Sequence, residues 1–206
     1  MWESCTKLPP DRILSLGMPR TDSFIGKKKG DGHTLLADKR SYLYVPTFRE
    51  PDESPNFKID LDLIDNYLYD DELFVVKAHM RTDTMLHKQY KHIIEISSSE
   101  PSSPYLYDCD VVVTDYSSII FDGYLLNKPA ILFEKEKGYV DYRGMYLKYP
   151  YEYCSKNAIN EKELLYLLRS TTSLTEVEYN VINKVADKCD GHSCERICKL
   201  INILND

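Results

Sequence analysis

The chain has 206 residues, of which 43% are hydrophobic and 29% are charged, and this composition is ordinary for a globular protein with a packed core. Its net charge of -7 argues against a general nucleic-acid binder, because such proteins carry a basic excess on the face that meets phosphates. The same charge leaves room for a small anionic substrate, since a few well-placed cations are enough to bind one.

The apolar runs of the chain are short. Those at 111–113 and 130–133 are far too short to span a bilayer. The first residues lack the basic and then apolar layout of a secretion signal. We therefore expect a cytoplasmic protein.

Short apolar runs that end in turn signals predict buried strands, because they are too short for helices and rich in β-branched residues. These runs are Ile13–Leu16, Tyr42–Val45, Leu73–Val76, Ile93–Ile96, Val111–Val113 and Ala130–Phe133. Helical patterns lie at Leu61–Leu68, Ser103–Tyr107, Ser117–Leu126, Glu161–Arg169, Thr175–Lys188 and Ser193–Leu204. The alternation predicts an α/β fold, a Rossmann-like parallel sheet flanked by helices.

Polar residues follow several of the predicted strands. In open parallel sheets, ligands bind in the crevice beyond the carboxyl ends of the strands. The segments just after the predicted strands are 17–20, 46–49, 77–79 and 115–118. They offer a cation, a Pro-Thr turn, a Lys/His pair and a hydroxyl-rich helix start, and this set suits a phosphorylated ligand.

The segment after the predicted strand at 111–113 has the features of an anion site. Ser117 and Ser118 open a predicted helix, where unpaired backbone N–H groups and hydroxyls could bind a phosphate. The alternative is that Asp115 or Ser117 only caps the helix. Asp122 lies four residues after Ser118 on the same helix face, so it would accept a hydrogen bond from a substrate hydroxyl or be purely structural.

The segment after the predicted strand at 73–76 holds a candidate for acid–base chemistry. His79 follows Lys77 by two residues, and a histidine there can donate or accept a proton near neutral pH or bind a phosphate as a cation. The alternative is an ordinary, half-exposed loop histidine.

Two patterns resemble metal sites, and in both the structural interpretation is favoured. Asp108 and Asp110 form a D-x-D motif, but Asp108 is expected to end a helix. Three cysteines (Cys189, Cys194 and Cys198) lie near His192, but the spacing of the apolar residues there fits the core face of a helix and predicts buried free thiols. That face comprises Cys194, Ile197, Cys198, Ile201 and Leu204. The triple lysine at 27–29 predicts a solvated turn. The chain lacks a glycine-rich phosphate loop, so ATP, GTP and NAD are not supported.

An ordered set of motifs resembles the CDP-glycerol glycerophosphotransferase family, whose members polymerise polyol phosphates of teichoic acids and capsules. The motifs are Gly17-x-Pro-Arg20-x-Asp22, Tyr44-Val-Pro-Thr-Phe-Arg49, Lys77-Ala-His79 and Thr114-Asp-Tyr-Ser-Ser118-x-x-Phe-Asp122. Further matches lie at 127–129, 142–144, 190–191 and 195–196. Together they extend from about Gly17 to Arg196.

The resemblance implies a GT-B architecture, in which two Rossmann-like domains face a cleft, with residues 1–206 as the C-terminal, donor-nucleotide-binding domain. It also implies transfer of glycerol phosphate, or a related polyol phosphate, from CDP-glycerol to a cell-wall or capsular polymer. CMP would be released without a metal or other cofactor. By position, the donor would be held by Arg20, Pro46, Thr47, Lys77, His79, Ser117, Ser118 and Asp122, and His79 would be the catalytic residue.

One element of the family pattern has no counterpart in the chain. Family members carry a histidine in an H-G motif upstream of the segment that begins at Gly17, and it is proposed to act as the base on the acceptor hydroxyl. Only sixteen residues precede Gly17, and they contain no such motif. We therefore expect a fragment or a chain whose N-terminal half is a separate polypeptide, acting on a polymer or lipid-linked acceptor at the inner face of the cell membrane.

Two other functions remain open from the residues. One is a GT-B glycosyltransferase that uses a nucleotide sugar in surface-polysaccharide synthesis. The other is a non-catalytic nucleotide-binding module that regulates or pairs with another subunit.

Overall fold

The computed structural model describes residues 7–32, 34–47, 59–77, 86, 88–135 and 152–205. Within this part of the chain, six strands form one parallel sheet. They are β1 (Arg40–Tyr44), β2 (Glu72–Lys77), β3 (Ile93–Ile96), β4 (Val111–Thr114), β5 (Ala130–Phe133) and β6 (Asn157–Ala158). The spatial order is β3-β2-β1-β4-β5-β6, so the order of the chain reverses between β1 and β4. That position is the topological switch point of the sheet.

Helices flank the sheet. They are α1 (Thr34–Ala37), α2 (Leu61–Tyr67), α3 (Ser103–Asp108), α4 (Ile119–Leu125), α5 (Glu161–Ser170), α6 (Glu176–Val185) and α7 (Ser193–Asn205). Two 3₁₀ helices, at Pro10–Arg12 and Pro19–Phe24, precede them. No helix within the described residues is long and apolar enough to cross a membrane.

Alternating side chains of the central strands enter two separate cores. In β1, Leu43 packs with residues of α3 and α4, whereas Tyr42 and Tyr44 pack on the other face with residues of α2 and α5. This alternation follows from the two-residue period of a strand. Because helices cover both faces, the strands β2, β4 and β5 are buried throughout their length. The predicted Rossmann-like α/β fold is confirmed.

The structure differs from the predicted strands in two places. Residues Ile13–Leu16 form no strand, and Leu14 is 60% exposed, because this segment pairs with no strand of the sheet. The short strand β6 was not predicted, because two residues are too few to show a pattern. The other five predicted strands are confirmed to within one or two residues.

The prediction of buried thiols near the C-terminus is wrong. The structure places Cys194 and Cys198 on the exposed surface of α7, Cys189 is only partly buried, and Ile201 is 50% exposed. The periodic pattern correctly predicts a helix with an apolar face. However, the contact of α7 with the rest of the described fold is made mainly by its first turns, against the second 3₁₀ helix.

Both aspartates of the D-x-D motif bind neighbouring segments of the chain at the amino ends of the strands. Asp108 ends α3 and is fully buried, and its Oδ1 accepts hydrogen bonds from the backbone N–H groups of Gly30 (2.6 Å) and Gly32 (3.4 Å). Asp110 accepts a hydrogen bond from the backbone N–H of Ser41 at 2.8 Å, and it forms an ion pair with Lys29 at 2.7 Å. Lys29 is therefore ion-paired, although the sequence predicts a solvated turn. The described residues contain no cluster of three His, Cys, Asp or Glu side chains that could hold a metal.

Candidate functional site

The turns after β1 and β4 meet at the topological switch point, and a buried carboxylate joins them. Asp115 is fully buried. It accepts hydrogen bonds from the backbone N–H of Thr47 (2.8 Å), from Thr47 Oγ1 (2.7 Å) and from the backbone N–H of Tyr116 (2.7 Å). One strand position earlier, Thr114 Oγ1 donates to the carbonyl oxygen of Val45 at 2.5 Å. These bonds fix the two turns in one arrangement.

Asp115 is a residue whose importance the sequence did not reveal. Its position before a helix permits an N-cap, and that was the expected alternative. The structure shows that α4 begins four residues later, at Ile119, and that the carboxylate of Asp115 instead binds the turn after β1. The signal that could have identified it is its position directly after a buried strand. Buried turns there leave backbone N–H groups without partners in the sheet, and an aspartate can accept hydrogen bonds from them.

Ser117 and Ser118 follow β4 at the same switch point, where a ligand crevice is expected. Ser117 is partly buried, and its Oγ accepts a hydrogen bond from the N–H of Ile119 at 3.3 Å. Ser118 is exposed, and its side chain makes no capping hydrogen bond. Because α4 has seven residues instead of the predicted ten, its macrodipole is weaker than expected. Binding of an anion there would depend on the hydroxyls and on a nearby cation.

The nearby cation is Arg20. This residue lies in the second 3₁₀ helix, and its Nη1 forms an ion pair with Asp122 of α4. Asp122 is buried, and burial raises the pKa of its carboxyl group, while the hydrogen bond from Arg20 lowers it. The guanidinium also donates from Nε to Met18 Sδ at 2.9 Å. Its side chain is 52% exposed, and the partners among the described residues use two of its five N–H donors.

The pairing of Arg20 with Asp122 gives Asp122 a role that the sequence left open. A buried carboxylate beside an anion site would repel a phosphate on its own. Paired with Arg20, it instead fixes the guanidinium beside α4, while about half of the Arg20 side chain stays exposed. The structure thus brings together two predicted site residues that lie 102 positions apart in the chain.

The side chain of Lys77 binds the protein itself, whereas the strand-end pattern predicts that it binds a ligand. It is the last residue of β2 and is buried, and its ammonium group donates to the carbonyl oxygens of Ser97 (2.8 Å) and Ser98 (3.0 Å). Burial lowers the pKa of this group. The ammonium therefore ties the end of β2 to the turn after β3, and a role of Lys77 in binding the donor stays a prediction.

Of the remaining predicted site residues, the structure describes Pro46 but not His79. Pro46 is buried in the turn after β1, directly before Thr47. His79 lies outside the described residues, as do Arg49 and residues 142–144, so the predicted catalytic role of His79 stays a prediction.

A parallel sheet with helices on both faces, whose strand order reverses at a switch point, defines the class of doubly wound, Rossmann-like α/β folds. The family comparison is more specific. Residues 1–203 match the family model described as CDP-glycerol:poly(glycerophosphate) glycerophosphotransferase. The chain belongs to this family, and the resemblance found in its motifs is confirmed.

Curated relatives cover most of the chain. It is 28% identical over 203 residues to the teichoic acid poly(ribitol-phosphate) polymerase of Bacillus spizizenii, which covers 91% of the chain and 33% of that protein. It is 26% identical over 211 residues to the teichoic acid glycerol-phosphate transferase of Staphylococcus aureus, which covers 93% of the chain and 54% of that protein. The chain thus spans between a third and about half of the length of these relatives.

Solved structures share the fold. The wall teichoic acid polymerase TagF matches with a TM-score of 0.77 at 22% identity, over 98% of this chain and 54% of that one. Another structure of TagF comes from a soak with CDPG and has the same TM-score. MnaA of S. aureus, in a co-structure with UDP, matches with a TM-score of 0.58 at 16% identity, over 95% of this chain and 56% of that one.

Proposed function

We propose that the chain forms the donor-binding part of an enzyme that transfers glycerol phosphate, or a related polyol phosphate, from CDP-glycerol to a cell-wall or capsular polymer. Membership of the family supports this function, as do the teichoic acid transferases and polymerases among its relatives. The observation that carries the proposal is the arrangement at the switch point. Asp115 fixes the turn that leads to Ser117 and Ser118, and Arg20 pairs with Asp122, which lies one helical turn after Ser118.

In this function, the pyrophosphate of CDP-glycerol lies in the crevice. An acceptor hydroxyl attacks the phosphorus that carries glycerol, a new P–O bond forms, and the bond to CMP breaks. Negative charge then builds on the oxygen that leaves with CMP. The hydroxyls of Ser117 and Ser118 and the guanidinium of Arg20 would stabilise this charge.

The other predicted donor ligands have supporting roles in the proposal. Thr47 uses both its N–H and its hydroxyl on Asp115, so it supplies the shape of the turn in which Pro46 is buried. His79 would contact the transferring phosphate or assist proton transfer. The proton of the acceptor hydroxyl would pass to a histidine such as that of the family's H-G motif, carried by an N-terminal half. The acceptor would be a polymer or a lipid-linked chain, reached at the inner face of the membrane.

Calorimetric titration of the purified chain with CDP-glycerol, CDP-ribitol, CMP-sialic acid and UDP-sugars tests this proposal. We expect a CDP-polyol to bind, and the UDP-sugars to bind at least tenfold more weakly or not at all. Binding of a UDP-sugar alone would contradict the proposal and favour a GT-B glycosyltransferase. Release of CMP from CDP-glycerol in the presence of an acceptor would exclude the non-catalytic module.

A further inference from the structure

The second 3₁₀ helix connects the donor crevice to the C-terminal helix. Its residue Arg20 reaches Asp122 in α4, whereas its residue Asp22 reaches the first turn of α7. The Oδ1 atom of Asp22 accepts a hydrogen bond from the N–H of Ser193 at 3.0 Å, and Oδ2 accepts one from the N–H of Cys194 at 2.8 Å. A carboxylate more than 170 positions away in the chain therefore satisfies two of the N–H groups that a helix start leaves unpaired.

Contacts of residues that precede Asp22 hold the same segment against the start of α7 and the loop before it. Arg196 donates from Nη1 to the carbonyl oxygens of Leu16 (3.3 Å) and Lys188 (3.0 Å). Gly17 has a φ of +87°, and a Cβ added to it would lie 2.2 Å from the carbonyl oxygen of Lys188. We call the contacts made by Gly17, Asp22, Ser193, Cys194 and Arg196 the C-terminal clasp.

The clasp matters because the element that carries Arg20 is weak on its own. A six-residue 3₁₀ helix has poor hydrogen-bond geometry and depends on tertiary contacts. On its inner side, Thr21 and Phe24 are buried, and Phe24 packs edge-to-face on Tyr107 with ring centroids 5.9 Å apart. On the other side, the clasp fixes the backbone two residues from Arg20. Without it, ordering Arg20 at the crevice would cost additional conformational entropy.

We propose that the start of α7 is part of the support of the donor site, with Asp22 as a positioning residue that acts through Arg20. This inference rests on the function proposed above. It assigns one purpose to two motifs that lie far apart in the chain, namely 17–22 and 195–196.

The carboxyl group of Asp22 is ionised at neutral pH, because its pKa is lowered. The hydrogen bond from the backbone N–H of Cys194 is the main cause that lowers the pKa of the carboxyl group to about 2; burial opposes it, and the contacts with Ser193 lower the pKa further. The carboxylate is therefore ionised throughout the neutral range in which donor binding would be measured.

A double-mutant cycle tests the inference. The variants are Arg20→Ala, Asp22→Ala and the combination of both, each titrated with CDP-glycerol in a calorimeter. We expect Arg20→Ala to weaken binding roughly 30-fold, since it removes a charge-assisted contact with a phosphate. Asp22→Ala should weaken it about tenfold, and the combined variant should bind no more weakly than Arg20→Ala, because Asp22 acts only through Arg20.

Two further variants separate positioning from general stability. Asp22→Asn keeps one acceptor oxygen and should lose only about threefold in affinity. Asp60→Ala removes a comparable helix cap, since Asp60 accepts a hydrogen bond from the N–H of Leu63 at 2.9 Å at the start of α2. It should lower the unfolding midpoint and leave donor affinity unchanged. Circular dichroism of each variant checks that it is folded.

The outcomes distinguish this inference from the function on which it rests. If the wild-type chain does not bind CDP-glycerol, both are overturned. If it binds, but the losses of Arg20→Ala and Asp22→Ala multiply in the combined variant, Asp22 does not act through Arg20 and the inference alone fails. It also fails if Asp22→Ala binds CDP-glycerol as tightly as the wild-type chain does.

Discussion

Asp115→Asn is expected to weaken binding of CDP-glycerol by at least tenfold and to lower the free energy of unfolding by about 2–3 kcal/mol. An asparagine has one acceptor oxygen, whereas Asp115 uses both of its oxygens for three hydrogen bonds. In the variant, the amide oxygen can still accept from the N–H groups of Thr47 and Tyr116, but the NH₂ would face the hydroxyl of Thr47, which would have to turn from donor to acceptor. All three hydrogen bonds would also lose the charge of the carboxylate, so the turn after β1 would be held less firmly against the turn before α4.

The other end of the same strand provides a matched control. Asp110 precedes β4 as Asp115 follows it, and it also accepts a hydrogen bond from a backbone N–H of the β1 segment, that of Ser41. Because Ser41 and Lys29 both use the same oxygen, Asp110→Asn can keep the bond from Ser41 and should cost about 1 kcal/mol. It lies at the opposite edge of the sheet, so donor affinity should not change.

Urea unfolding and calorimetric titration of both variants check this prediction. If the two variants lose affinity in proportion to their loss of stability, Asp115 has no particular role at the crevice. If Asp115→Asn loses stability and binds CDP-glycerol normally, the donor does not lie between β1 and β4.

Gly17→Ala is expected to lower the free energy of unfolding by about 3 kcal/mol or more. A side chain at Gly17 meets two obstacles. Its φ of +87° is left-handed, which costs an alanine about 1 kcal/mol, and the new Cβ would lie 2.2 Å from the carbonyl oxygen of Lys188. Since the carbonyl belongs to the backbone, the contact can be relieved only by moving the clasp. We therefore expect donor affinity to fall as well.

Gly26→Ala separates the two effects. Gly26 has a similar φ of +78°, but a Cβ added there would meet no heavy atom within 4 Å. This variant should lose only about 1 kcal/mol and keep its affinity for CDP-glycerol. Thermal unfolding of both variants measures the difference. Equal losses would show that backbone conformation, and not the close approach to α7, accounts for the presence of glycine at position 17.

The parts of the fold and site that the sequence predicts are those that follow from local patterns. Buried runs such as Val111–Val113 predict parallel strands, and the carboxyl ends of parallel strands meet at one edge. The sequence alone therefore predicts that Thr47, Ser117 and Ser118 lie at one edge of the sheet. The motif order then pointed to the family.

The contacts that the sequence could not predict depend on segments far apart in the chain. Nothing near Arg20 indicates that it pairs with Asp122, and nothing near Asp22 indicates that it caps α7. Lys77 illustrates the same limit, because a lysine after a strand can reach either a ligand or the carbonyls of the next turn. The exposed thiols of α7 show that periodicity reveals an apolar helix face without revealing what covers it.

A crystal structure of the chain with bound CDP-glycerol tests the central claim most directly. The account predicts that the pyrophosphate lies at the switch point between β1 and β4, within hydrogen-bonding distance of Ser117, Ser118 and the guanidinium of Arg20, with the Arg20–Asp122 pair retained. A pyrophosphate bound beyond β3 beside Lys77, or anywhere outside the crevice that Asp115 closes, would contradict it.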